Sequence, residues 1–78
     1  MTREELCAKT GKPFGGVIRG AYPQQWGEKT VYRGQLYGDP RGRFEEGLSI
    51  YTSYVIAEYG DVLETRNTIY TLERRALS

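Results

Sequence analysis

The chain has 78 residues, with ten glycines, one cysteine and no histidine, and a chain of this size forms one domain, since separate cores need about a hundred residues each. The lack of histidine removes the Ser-His, Cys-His and His-metal chemistries, and lone Cys7 closes no internal disulfide and completes no zinc site, so no metal and no cofactor are expected and the compartment reads as reducing. Eleven Lys and Arg against ten Asp and Glu leave a net charge of +1, too little for a global field toward nucleic acid or an anionic membrane, and no apolar run is long enough for a membrane span or a secretory core.

Val, Ile, Thr, Tyr, Phe and Trp supply 25 residues against four alanines, a bias that suits pleated, half-buried surfaces, so the fold class is mainly β with a small α component. Thr2-Arg3-Glu4-Glu5 has the spacing of a capping box and predicts a short helix from Arg3 to Lys9. It ends before Gly11-Lys12-Pro13, and to persist it must dock Leu6 and Cys7 on the sheet. Residues 1–13 are thus a helix or arm, 14–73 the β core and 74–78 a loose tail.

Gly15 to Tyr22 reads as a first strand, its glycines marking bends or bulges, ended by Pro23, with Pro23 to Lys29 a loop whose Trp26 is either a lid over the core or an exposed anchor. Thr30 to Tyr37 alternates, placing Tyr32, Gly34 and Leu36 on one face and Val31, Arg33, Gln35 and Tyr37 on the other. Gly38 to Arg43 carries turn chemistry, with Phe44 and Gly47 closing the loop. Leu48 to Tyr59 is the longest alternating stretch and reads as one long central strand, bent or curved. Gly60-Asp61 is a hairpin turn into Val62–Arg66, and Asn67 separates that strand from a last one at Thr68–Glu73. About five strands with one long curved member predict a small antiparallel barrel or a twisted meander, since closure removes exposed edges.

The stretch Phe44-Glu-Glu-Gly47-Leu-Ser-Ile50-Tyr-Thr52-Ser53-Tyr-Val55, followed by Val62-Leu-Glu-Thr65-Arg-Asn67-Thr-Ile-Tyr70-Thr-Leu72, resembles short proteins carried by phages, prophages and other mobile elements. The resemblance spans the second half of the chain. It implies a cytoplasmic accessory protein and brings no catalytic residues with it.

Eight of the eleven basic residues are arginine, whose planar fork suits phosphate, carboxylate and aromatic contacts. Seven tyrosines and Trp26 exceed what so small an interior can hold, so some rings stay outside. Arg41 and Arg43, two apart around Gly42, either bring two forks to an anionic partner or pair with Glu45 and Glu46 on a solvated turn. Thr52 and Thr65 read as cross-strand or backbone hydrogen-bonding partners, and Asn67 as a residue in a turn conformation that β-branched side chains resist. Glu45 and Glu46 are neighbours in a loop, and Phe14-Gly15-Gly16 lacks the lysine and hydroxyl of a phosphate loop, so the chain is not expected to be an enzyme. The leading expectation is a non-catalytic protein that binds a protein partner, host or defence machinery, through Trp26, Tyr37, Arg41, Arg43 and Tyr51. The alternative is a small nucleic-acid-binding barrel that uses Arg33, Arg41, Arg43 and Arg66. A third is a homodimer through an unpaired sheet edge.

Overall fold

A computed structural model describes residues 1–75. Helix α1 spans Arg3–Thr10, followed by strands β1 (Phe14–Trp26), β2 (Lys29–Tyr37), β3 (Leu48–Tyr51), β4 (Val55–Tyr59), β5 (Val62–Thr65) and β6 (Ile69–Arg74). The capping box is in place. The Glu5 N–H donates to the Thr2 hydroxyl and the Thr2 N–H to the Glu5 carboxylate, and Gly11 closes the helix in the left-handed region at φ 73°. No helix among the described residues is long and apolar enough to cross a membrane.

The six strands form one mixed sheet in the order β3-β2-β1-β6-β5-β4. The fold is mainly β with one short helix, as the composition predicts, but the sheet stays open and is neither a barrel nor a meander. The reason lies in its centre: β1 pairs antiparallel with β2 and parallel with β6, so the first and last strands sit side by side. The last strand also includes Arg74, and the Arg75 N–H donates to the Ala21 carbonyl at 2.8 Å, so the predicted tail begins later than Arg74. Residues 76–78 of that tail lie outside the described residues.

Two further boundaries differ from the sequence reading. Strand β1 runs through Pro23 to Trp26, so the expected loop is the end of a hairpin that turns at Gly27 and Glu28. The stretch Leu48–Tyr59 is two strands on opposite edges of the sheet, because residues 52–54 leave it and cross between the edges. The Thr52 N–H donates to the Tyr32 carbonyl on one side, and the Arg66 N–H donates to the Tyr54 carbonyl on the other. This crossing curls the sheet, and β4 packs against β2. Inside the curl lies the core of Ile18, Ala21, Tyr32, Leu36, Leu63, Tyr70 and Leu72, with Ile50 and Val55 against it.

The opposite face has a separate cover. Alternation turns Ile69 away from Tyr70 and Leu72, and α1 packs against β6 with Leu6 buried. Lys12 Nζ donates to Glu64 Oε2 at 2.6 Å and to the Thr65 carbonyl at 2.9 Å, which ties the end of the helical segment to β5. Over β1, β2 and β3 this second face is left open.

Candidate functional site

The open face owes its composition to a bulge. The β1–β2 register shifts between Arg19, opposite Gln35, and Tyr22, opposite Arg33. Gly20 sits in the shift at φ 64°, a left-handed conformation that glycine adopts freely. One extra residue therefore puts Arg19 and Tyr22 on the same face, although they are three apart, and leaves Ile18 and Ala21 together in the core. On β2 the same face carries Val31, Arg33, Gln35 and Tyr37, and the register Arg33–Tyr51 and Gln35–Ser49 adds β3 to it.

These residues line a cleft of about 340 Å³ walled by Arg19, Tyr22, Arg33, Tyr51 and Arg75 and floored by Gly20 and Gly34. Each guanidinium rests on a ring: Arg33 lies 4.3 Å from the Tyr51 centroid, Arg19 4.6 Å from Tyr37 and Arg75 5.3 Å from Tyr22. Stacking of this kind orients the planar fork and leaves most of its N–H groups for a ligand. Arg33 spends one on Gln24 Oε1 at 3.2 Å. Among the described residues, the one carboxylate paired with a cleft arginine is Glu73, 3.4 Å from Arg19 Nε, with both side chains more than half exposed. The other carboxylates are placed on the helix, in the 39–47 loop, at the β1–β2 and β4–β5 turns or in β4 and β5. The near-zero net charge thus hides a basic strip.

Along β2 the strip continues past Tyr51 into a smaller, apolar cavity of about 140 Å³ lined by Trp26, Val31, Tyr51, Thr52 and Tyr54. Trp26 and Tyr51 meet edge to face with centroids 5.7 Å apart, and each is 53% exposed while Val31 beneath is 4% exposed. No family model, curated protein or solved structure matches this chain.

Of the residues expected to bind a protein partner, Trp26, Tyr37 and Tyr51 fall on this face. Arg41 and Arg43 do not. Their loop folds around Asp39, whose carboxylate accepts the Arg41 N–H at 3.1 Å and the Arg43 N–H at 3.0 Å. Arg43 adds an ion pair to Asp39 at 3.6 Å and lies over Phe44. Desolvation acts to raise the Asp39 pKa, but the two amides and the two guanidiniums together hold it below its ordinary value. The partners expected for these arginines, Glu45 and Glu46, do not take them; Glu46 accepts from the Gly38 N–H instead. With Asp39, Glu45 and Glu46 beside two arginines, the loop is not a basic patch.

Of the residues expected to bind nucleic acid, only Arg33 lines the cleft. Arg66 is exposed in the β5–β6 turn. Sequence reasoning missed Arg19, Tyr22 and Arg75. The signal for the first two was Gly20, whose reading as a bend or a bulge the sequence left open; as a bulge, it resets the alternation and brings both to the face of Arg33.

Proposed function

We propose that the protein is a non-catalytic binding protein whose open face over β1, β2 and β3 takes single-stranded nucleic acid. The observation that carries this reading is the cleft in which Arg19, Arg33 and Arg75 each lie on a tyrosine ring, with Glu73 the one paired carboxylate. Guanidiniums supply phosphate contacts and exposed rings supply stacking surface, the two components by which open sheet faces hold single strands. Three phosphate contacts predict a slope of about −2 in log affinity against log salt, at roughly −0.7 per phosphate on a single strand. Fluorescence anisotropy of labelled single strands between 50 and 200 mM salt tests this, the range being of the order where such losses are read. Arg33→Ala is expected to weaken binding and reduce the slope by about 0.7, while Arg41→Ala and Arg43→Ala change neither. Absent or salt-insensitive binding removes the proposal.

A second reading, favoured by the half-exposed Trp26–Tyr51 pair, is a protein partner anchored by those rings. The resemblance to phage and mobile-element proteins makes host or defence machinery the natural target. A stoichiometric protein captured from host lysate, lost with Trp26→Ala and indifferent to salt, supports that reading over the first.

A further inference from the structure

We propose that the apolar cavity beneath Trp26 is a subsite for one unstacked base of the bound strand, an inference that rests on the nucleic-acid reading of the neighbouring cleft. Two observations point there. Tyr51 walls both cavities, so the apolar one continues the cleft rather than standing apart from it. Cations also flank it on both sides: the Arg33 guanidinium lies 4.3 Å from the Tyr51 centroid, and Lys29 Nζ lies 5.8 Å from the Tyr54 centroid. The surface thus reads cation, rings, cation, which complements phosphate, base, phosphate.

The walls are the rings of Trp26, Tyr51 and Tyr54, the aliphatic Val31 and Thr52. The Thr52 hydroxyl donates to the Ser53 carbonyl at 2.8 Å and accepts from the Tyr32 N–H at 2.9 Å, so its proton is committed within the protein. Such a wall holds a planar group by stacking, and every base has a planar face. The subsite therefore requires a base and tolerates which one it is.

Trp26 is the one tryptophan in the chain, so its emission reports this cavity alone. The experiment titrates the protein with a labelled oligothymidylate and with an abasic strand of equal length and charge, reading label anisotropy and Trp26 emission together. The oligothymidylate is expected to bind and quench Trp26, and the abasic strand to bind about tenfold more weakly without quenching. Trp26→Phe is expected to retain most of the affinity and Trp26→Ala to lose about tenfold, with both variants melting close to the parent because the ring is half exposed. Equal affinity for the two strands, or binding that leaves Trp26 emission unchanged, overturns the subsite and leaves the nucleic-acid reading standing. Failure of both strands to bind at low salt overturns both. Protection of Trp26 from acrylamide by a captured protein, with no strand bound, assigns the surface to a protein partner.

Discussion

Tyr32 gathers the polar contacts of the core face. Its N–H donates to the Thr52 hydroxyl, its carbonyl accepts from the Thr52 N–H, and its own hydroxyl donates to Glu58 Oε1 at 2.7 Å while accepting from Arg74 Nη1 at 2.8 Å. Burial raises its pKa, the hydrogen bond to Glu58 raises it further, and Arg74 pulls the other way without cancelling the shift. Burial likewise raises Tyr70. A phenol whose folded pKa is raised contributes stability that is fully present below the unfolded value of about 10 and is lost as pH climbs through the folded one. Thermal midpoints are therefore expected to fall above about pH 10, and the Tyr32→Phe, Tyr70→Phe double variant should flatten that fall in melts followed by circular dichroism. Thr65, fully buried, donates its hydroxyl to the Thr68 carbonyl at 2.8 Å and accepts the Thr68 N–H at 3.2 Å. Thr65→Val should cost about 1–3 kcal/mol in urea unfolding, since it strands a buried amide. The backbone-bonding roles of Thr52 and Thr65 were legible, because a hydroxyl beside turn residues in a β sequence has few other uses. The role of Asn67 was not: no residue other than glycine has positive φ among those described, and Asn67 instead donates its amide to Ser53 Oγ at 3.0 Å, a long-range contact that no local pattern encodes.

At the level of elements, what period-two reading captures is a strand paired without interruption, as β2 shows: its two faces fall where alternation puts them. Where the ladder is interrupted, the reading slips. The bulge at Gly20 defeated it in β1, and the departure of residues 52–54 defeated it between β3 and β4, where alternation persists through residues that are not in the sheet and no glycine or proline marks the exit. Gly34 shows how tightly the bulge is set. A Cβ there would stand 2.5 Å from Ile18 Cγ2 and 2.7 Å from the Arg19 carbonyl oxygen, and the latter is backbone that cannot step aside. Gly34→Ala is expected to destabilise by about 1–3 kcal/mol. Gly20→Ala meets no steric contact but carries the left-handed penalty of about 1–2 kcal/mol. If its strain undoes the bulge, Arg19 and Tyr22 part to opposite faces, so its affinity for single strands should fall more than its stability. Parallel urea melts and anisotropy titrations on the two variants separate these effects.

The molecule as a whole is organised around β1, which is flanked by β2 and β6 and has one face against the core. Hydrogen exchange should be slowest in β1, β2 and β6 and fastest in α1 and the 39–47 loop, in the order of their buried contacts. Leu6→Ala should cost about 2–5 kcal/mol, since Leu6 is 1% exposed and belongs to the cover over β6. The mainly β class and the capped helix were legible from composition and from four residues. The mixed topology was not, because partnering of Val17 with Thr71 depends on which distant segments satisfy each other's backbone, and every strand advertises the same donors and acceptors. That central partnership also bears on how the protein is made. A nascent chain emerging from the ribosome displays Ile18 and its neighbours with half their ladder missing until the segment ending at Arg74 has cleared the exit tunnel. At about 5–20 residues per second this lasts some seconds. The fold is thus completed only after β6 is translated, and until then β1 carries an edge with no partner on one side.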